Sequence, residues 1–385
     1  MIESRMGVTV RQMGGYQVYI PKPLPPDPPI HFDDELQALL SEADRALARL
    51  DGMTTVLPNA DLFVAMYVKK EALLSSQIEG TQASLQGILQ FEADMIPADD
   101  INEVKEVINY IRAMDEGLAR TKDGIFSREV LQEIHRILLK GTRGGKKEPG
   151  KIRTVQNWIG PKGSTIHSAT FVPPPPEKVP VLLEDLEAFL NADDRIPPLI
   201  KIGLVHAQFE TIHPFIDGNG RMGRLLITFW LCRKGILARP LLYLSIYLKA
   251  HREEYYSLLQ EIRFEGNWES WLKFFLRGIR DVSSEALTNA QEIIRLKEQL
   301  LDTVIRENAG GLNAIRLLDL LFKKPVVTVP DISSALGISH QPAYDLVNQF
   351  EKLGILREIT GKKRYKKYLF DGYVRIIERG TGTSE

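Results

Sequence analysis

His213, Asp217, Arg221 and Arg224 place an imidazole, a carboxylate and two guanidiniums inside the stretch HPFIDGNGRMGR, with Gly218, Gly220 and Gly223 between them. An imidazole that is neutral near pH 7 can take a proton from an attacking hydroxyl. Asp217 offers a hard oxygen to Mg2+, an ion that takes one or two protein carboxylates and fills its remaining positions with water and phosphate. Arg221 and Arg224, three residues apart, lie on neighbouring ridges of one helix and can neutralise phosphate oxygens with planar forks. Together these groups suit a magnesium-nucleotide and a base that deprotonates whatever attacks it.

The flanking sequence must position them. Pro197 to Ile212 carries apolar residues at helical spacing (Ile200, Leu204, Val205, Phe209, Ile212), and Pro214 argues against a helix running on through His213. Arg221 to Arg233 predicts a second helix with Leu225, Leu226, Phe229 and Trp230 inward. Gly218, Asn219 and Gly220 therefore stand where a helix begins. Unpaired N–H groups and the positive dipole end there attract phosphate, and glycine lets it approach the backbone.

The segment resembles the signature of the Fic family, H-x-F-x-[D/E]-G-N-G-R-x-x-R, with every fixed position filled. The resemblance implies a protein adenylyltransferase that moves AMP from ATP to a Ser, Thr or Tyr hydroxyl of a target protein or of itself, with release of pyrophosphate. His213 would be the general base and Asp217 the Mg2+ ligand. Gly218, Asn219 and Gly220 would form the anion hole. Arg221 would contact phosphates and Arg224 would hold the γ-phosphate, with Met222 and Gly223 of the same turn counted among the nucleotide-binding residues.

Far upstream, in KKEALLSSQIEGTQAS, Ser75 and Glu79 are four residues apart on a helix that Gly80 can end as a C′ residue. Alone this is a helix end with a solvated glutamate. Beside the first motif it matches the inhibitory motif of Fic proteins, [S/T]-x-x-x-E-[G/N]. The implied mechanism pairs Glu79 with Arg224 and withholds that guanidinium from ATP. Some relatives use the same glutamate to remove AMP from a target, so de-AMPylation is a variant of this reading.

The resemblance extends to Gly150–Gly160, GKIRTVQNWIG, which is typical of Fic proteins before their flap. Pro149 to Pro176 predicts a β-hairpin followed by a proline run. As a flap it would align the target by strand addition, with the backbone of Ile159 and Gly160 near the nucleotide; otherwise it is a structural hairpin. Tyr255 of the Tyr255-Tyr256 pair would lie near adenine or ribose, or else belong to an aromatic core pair. Some relatives carry Asn eight residues after that Tyr, where this chain has Arg263, and that departure leaves ATP over other nucleotides open.

The chain has 385 residues and a net charge of -1, which gives no whole-chain attraction to nucleic acid or membrane. Its longest apolar run, Leu225 to Cys232, is too short to span a bilayer, and MIESRMGVTVRQ lacks the apolar core of a signal peptide. No membrane partner is expected and a cytoplasmic location is the default. The single cysteine, Cys232, excludes an internal disulfide and reads as a small core residue.

Residues 1–120 divide into an extended arm over 1–30, with at most a short strand, and helical patterns carrying the inhibitory motif. The first of these has Asp33 or Asp34 as cap, and Ser127 is a candidate cap for a helix to Leu138. Residues 121–290 make the core with flap and signature, including helices over Ser245–Glu265 and Asn267–Ala290. Residues 291–310 continue the polar helix Glu285–Arg306 as a linker. Residues 311–379 resemble a winged helix-turn-helix, with Tyr344, Leu346, Val347 and Phe350 as apolar positions of its second helix. Lys362, Lys363, Arg364, Lys366 and Lys367 make the wing basic, which suits DNA phosphate, with Gln341 and Arg357 as candidate contacts; such domains also dimerise and dock proteins.

The expected fold is mainly α: a Fic helical core with a β-hairpin flap, an N-terminal helical region and a C-terminal winged helix-turn-helix. The alternative function is a DNA-binding transcriptional regulator whose Fic domain senses nucleotide. A homodimer is left open.

Overall fold

A computed structural model describes residues 2–122, 126–161, 163–307 and 309–382, and the fold is mainly α. The first thirty residues are not only an extended arm. They form an antiparallel hairpin of β1 (Val8–Arg11) and β2 (Gln17–Ile20), with Val8 opposite Ile20 and Arg11 opposite Gln17. Gly15 makes the turn possible through a positive φ of 81°.

The helices that carry the site follow. α1 (Asp34–Met53) is capped by Asp33, which accepts from the Leu36 N–H at 2.8 Å, and buries Leu36, Leu39, Ala43, Leu47 and Leu50 against the core. α2 (Ala60–Ile78), capped by Asn59, is buried almost all round from Met66 to Ile78, including Lys70, Glu71, Ser75 and Ser76. A helix that hides its polar side has partners on that side. α3 (Leu85–Glu92), α4 (Ile101–Thr121) and α5 (Arg128–Leu139) complete the upstream half, and Ser127 caps α5 through the Val130 N–H.

α6 (Val179–Asn191), α7 (Pro198–Ile212) and α8 (Asn219–Arg233) are the centre of the molecule, and α7 and α8 are buried on nearly every face. The pattern over Ser245–Glu265 is two helices, α9 (Ser245–Ala250) and α10 (Arg252–Glu265), because His251 leaves the helical region at φ −113°, ψ 40°. Conversely, the two helices read between Asn267 and Arg306 are one, α11 (Trp268–Arg306), since no proline interrupts them. Trp271 of α11 is fully buried, donates to the Gly203 carbonyl at 2.9 Å and stacks on His206 at 5.8 Å. Trp271→Ala should cost about 3–5 kcal/mol through the cavity it leaves; a denaturant midpoint equal to wild type would contradict that.

Between Pro149 and Pro176 the expected hairpin reduces to a single bridge. Ile159 and Phe171 exchange backbone hydrogen bonds of 2.8 and 3.0 Å, with no regular strand on either side among the described residues. The intervening Gly, Pro and Ser residues end the ladder after one rung.

The last unit is a winged helix-turn-helix: α12 (Gly311–Leu321), β3 (Val326–Val327), α13 (Val329–Leu336), α14 (His340–Lys352), β4 (Leu356–Glu358), β5 (Tyr368–Phe370) and α15 (Asp371–Glu378). The antiparallel sheet runs β3-β5-β4. β3 and α15 were not foreseen. Gly337 turns α13 into α14 at φ 69°, and Thr328 with Asp331 forms a capping box. Leu346, Val347 and Phe350 are buried as expected, but Tyr344 is exposed. α15 packs on α2 and α11. No described helix is long and apolar enough to cross a membrane.

Candidate active site

The site is built where α7 stops and α8 starts. Pro214 disfavours right-handed helical backbone in the residue before it, which ends α7; His213 itself is left-handed at φ 50°, ψ 60° while its N–H still bonds the Phe209 carbonyl. Gly218 reverses the chain again at φ 79° and caps α8. Asn219 fixes the loop between them: its amide donates to the Phe215 carbonyl at 2.8 Å and its Oδ1 accepts the Phe215 N–H at 2.9 Å. Its side chain is therefore committed, and only its backbone belongs to the helix start.

His213 Nδ1 faces the Glu210 carbonyl at 3.4 Å. A carbonyl only accepts, so Nδ1 carries the hydrogen and the Nε2 lone pair is free. Burial, with Arg153 and Arg263 nearby, pushes the imidazole pKa down to about 3, so the ring is neutral at physiological pH. Arg153 is itself buried and donates to the carbonyls of His213 (2.8 Å), Ile212 (3.3 Å) and Pro174 (2.5 Å).

Arg221 and Arg224 are both buried. Arg221 Nε has no hydrogen-bond partner among the described residues, and its Nη2 lies 3.7 Å from Asp217 Oδ1. A buried donor without a partner at a helix start can take an anion oxygen. Asp217 is partly exposed and accepts the Gly218 N–H at 2.7 Å.

Ser75 and Glu79 meet Arg224. Its Nε donates to Ser75 Oγ at 2.7 Å and its Nη2 to the Ser75 carbonyl at 2.9 Å and Glu79 Oε1 at 2.8 Å. A Cβ added to Gly220 would sit 2.3 Å from Glu79 Oε1. The Glu79 carboxylate thus covers the start of α8 as well as the guanidinium. Burial raises the Glu79 pKa, but the charge and hydrogen bond of Arg224 outweigh it and the net shift is downward. For Arg224 burial works against the cation, and Glu79 more than offsets it. Gly80 follows at φ 97° as the C′ residue. Its N–H bonds the Gln77 carbonyl and the Thr81 N–H bonds the Ser76 carbonyl, a Schellman ending that sets Glu79 in place.

Other expected residues lie elsewhere. Met222 is in the hydrophobic core, and the Gly223 carbonyl faces His206 Nδ1 at 3.0 Å. Tyr255 is buried with its hydroxyl on His206 Nε2 at 3.0 Å. Its neighbour Tyr256 is the exposed one, and it is close enough to Glu79 and Arg224 for their charges to act on its hydroxyl. Ile159 spends both backbone groups on Phe171; Gly160 is exposed. In the winged helix Arg357 is tied to Asp371 at 2.8 Å and Gln341 to Asp345 at 3.0 Å.

Two buried carboxyls near Arg224 were missed. Glu71, one turn before Ser75, accepts from Ser245 and Tyr110, and Glu210, one turn before His213, has an Oε1 without a partner among the described residues. Burial pushes both up to about 7. Glu71, Ser75 and Glu79 form an i, i+4, i+8 stripe that was legible in the sequence.

Residues 37–119 match the Fic/DOC family N-terminal domain, 125–231 the Fic/DOC family domain and 315–368 an HTH DNA-binding domain. A probable protein adenylyltransferase of Aquifex aeolicus is 30% identical over 205 residues, which cover 52% of this chain and 56% of that one. The protein adenylyltransferase Fic of Culex quinquefasciatus is 29% identical over 272 residues, covering 67% and 48%. The chain thus spans about half the length of these curated relatives. In fold, a Fic family protein from Desulfovibrio desulfuricans G20 aligns over 89% of this chain and 97% of its own, with a TM-score of 0.59 at 20% identity. The matched domains and the filled signature loop show that the chain belongs to the Fic/DOC family, with a helix-turn-helix domain after the Fic core.

Proposed function

We propose that the chain is a protein adenylyltransferase that moves AMP from ATP to a hydroxyl side chain of a protein, or of itself, and that Glu79 restrains it. The observation that carries this reading is the Glu79 carboxylate lying on Arg224 and over Gly220: a buried anion seat, beside a neutral imidazole, holding an anion from the chain itself. In the released state the start of α8, Arg221 and Arg224 hold phosphate oxygens. The target oxygen bonds to the α-phosphorus, the bond from that phosphorus to the pyrophosphate oxygen breaks, and the target's proton goes to His213 Nε2. Such transfer needs mainly positioning and charge neutralisation, which is what these residues supply.

Asp217 fits a Mg2+ that arrives with the nucleotide: it is one partly exposed carboxylate beside the seat, and Mg2+ asks for no more. Held there, the ion would supply neutralisation of charge developing on the phosphates, an effect of several kcal/mol. EDTA should therefore abolish transfer and excess Mg2+ restore it, and Asp217→Asn should lower the rate by about 10^2-fold or more. Transfer of label from ATP undiminished in EDTA would remove the metal from the mechanism.

The direct test incubates the Glu79→Gly protein with labelled ATP and Mg2+, then with labelled GTP, CTP and UTP, and reads by mass spectrometry which group joins which side chain. A gain of AMP on Ser, Thr or Tyr is expected. Absence of any covalent gain, alone and in lysate, would overturn the reading. The winged helix adds a second binding surface: Lys362, Lys363 and Arg364 stand exposed on the wing, a charge pattern that suits DNA phosphate.

A further inference from the structure

Between the flap and the helix end that carries His213 lies a cation that the transfer step itself does not use. Arg263, on α10, is 4% exposed; no carboxylate lies within ion-pair distance of it among the described residues, and the Glu210 carboxyl acts on it only from farther away. Its Nε donates to Thr211 Oγ1 at 3.1 Å and its Nη2 to the Glu210 carbonyl at 3.3 Å, two groups in the last turn of α7. Its guanidinium lies 3.8 Å from the ring centroid of Phe171, the residue that makes the one bridge of the flap. Its Nη1 reaches Gln260 Oε1 at 3.2 Å, and the Gln260 amide in turn donates to the Thr170 carbonyl at 3.2 Å.

We propose that Arg263 is a positioning residue that locks the flap to the end of α7 and so fixes the distance between a target segment on the flap and the His213 imidazole. This rests on the transfer reading above. A guanidinium is expensive to bury without a directly paired counter-charge. An aliphatic side chain would pack the same space at lower cost, but it could not hold three directions at once. A lysine could not either, because its ammonium is a point donor without a flat face for Phe171. The outgoing arm of the flap is tied to the signature loop by the Asn157 amide, which donates to the Phe215 carbonyl at 2.9 Å, whereas the returning arm at Thr170 and Phe171 is tied toward the end of α7 through Arg263. Arg153 braces the opposite side, joining the Pro174 carbonyl to those of Ile212 and His213. The segment that returns from the flap, 170–174, is thereby held at one end through Gln260 and Arg263 and at the other through Arg153.

The test compares Arg263→Gln, Arg263→Lys and Phe171→Ala in the Glu79→Gly protein. The readouts are self-modification with labelled ATP, calorimetric binding of ATP with Mg2+, melting temperature, and limited proteolysis within residues 155–172. For Arg263→Gln we expect kcat to fall about 10- to 100-fold, the loss typical of a misplacement near 1 Å, with KM and Kd for ATP within about twofold and faster cleavage of the flap. Arg263→Lys should not rescue kcat. Phe171→Ala, which leaves the bonds to α7 intact, should speed flap cleavage and lower kcat in the same direction. If Arg263→Gln lowers the melting temperature and ATP binding together, while Phe171→Ala leaves flap cleavage and kcat at the parent's values, Arg263 only packs α10 and the proposal fails. It fails equally if flap cleavage and kcat in Arg263→Gln equal the parent's. If the Glu79→Gly parent transfers nothing, the transfer reading falls, and flap cleavage in the three variants still decides whether Arg263 holds the flap.

Discussion

His213→Ala, made in the Glu79→Gly protein, should lower transfer of label from ATP by about 10^2- to 10^4-fold, the usual contribution of a general base. Binding of ATP with Mg2+ should stay within about twofold, because the phosphate seat is made by α8, Arg221 and Arg224 and not by the imidazole. The geometry supports the separation. The His213 ring faces the Glu210 carbonyl through Nδ1 and leaves Nε2 open, while the seat lies a loop away, fixed by Asn219. The pH profile should agree. With its pKa held near 3, the imidazole of the free enzyme is neutral from pH 5 to 8, so its protonation causes no acid limb in kcat/KM over that range. A variant without the ring that still modifies protein at the parent's rate would take His213 out of the reaction. A variant that lost ATP binding in proportion to rate would make it a ligand to the nucleotide instead.

Much of this site was legible because it is local. The stretch from His213 to Arg224 is twelve residues in which Pro214 marks the end of one helix and Gly218 the start of the next, and the chemistry of each side chain is its own. The contact of Glu79 with Arg224 joins residues 145 apart, yet it too was readable, because Ser75 and Glu79 share a helix face and Gly80 marks where that helix stops. What stayed hidden depends on burial in the folded molecule. Tyr255 and Tyr256 are equivalent as letters; only the rotation of α10 against α7 decides that Tyr255 bonds His206 and Tyr256 meets solvent. Glu210 looks like one more charge on a helix until α8 closes over it and leaves its Oε1 unpaired. Strand content failed for a related reason. The hairpin of β1 and β2 and the single rung at Ile159 and Phe171 reverse what alternation and turn residues suggested, because pairing depends on what each edge packs against.

The winged helix shows the same division. Gly337, the capping box at Thr328 and the buried Leu346, Val347 and Phe350 follow from local pattern. β3 has two residues and borrows its order from β5, so no sequence window contains its signal.

Glu79→Gly should raise transfer and tighten ATP binding by about 10- to 100-fold, a coupling of roughly 1–3 kcal/mol. The direction follows from what Glu79 touches. It shares Arg224 with the incoming phosphate and stands over Gly220, so the carboxylate and the nucleotide cannot both have the seat. The size is limited on both sides. Arg224 is almost fully buried and keeps two bonds to Ser75 when Glu79 leaves, so it is not left as a bare buried charge. The Glu79 side chain is 38% exposed, which screens the pair and lowers the cost of separating it. Glu79→Gln distinguishes charge from shape: if charge inhibits, the amide should release most of the activity, and if bulk over Gly220 inhibits, it should release little. Glycine at this position also leaves the Schellman ending free to form, because the bonds of Gly80 and Thr81 are made by backbone alone. Helix content and melting temperature should therefore stay close to wild type while the rate rises. If ATP binds Glu79→Gly and the wild-type chain equally well, Glu79 does not compete for the seat, and the inhibitory role fails even if His213 proves essential.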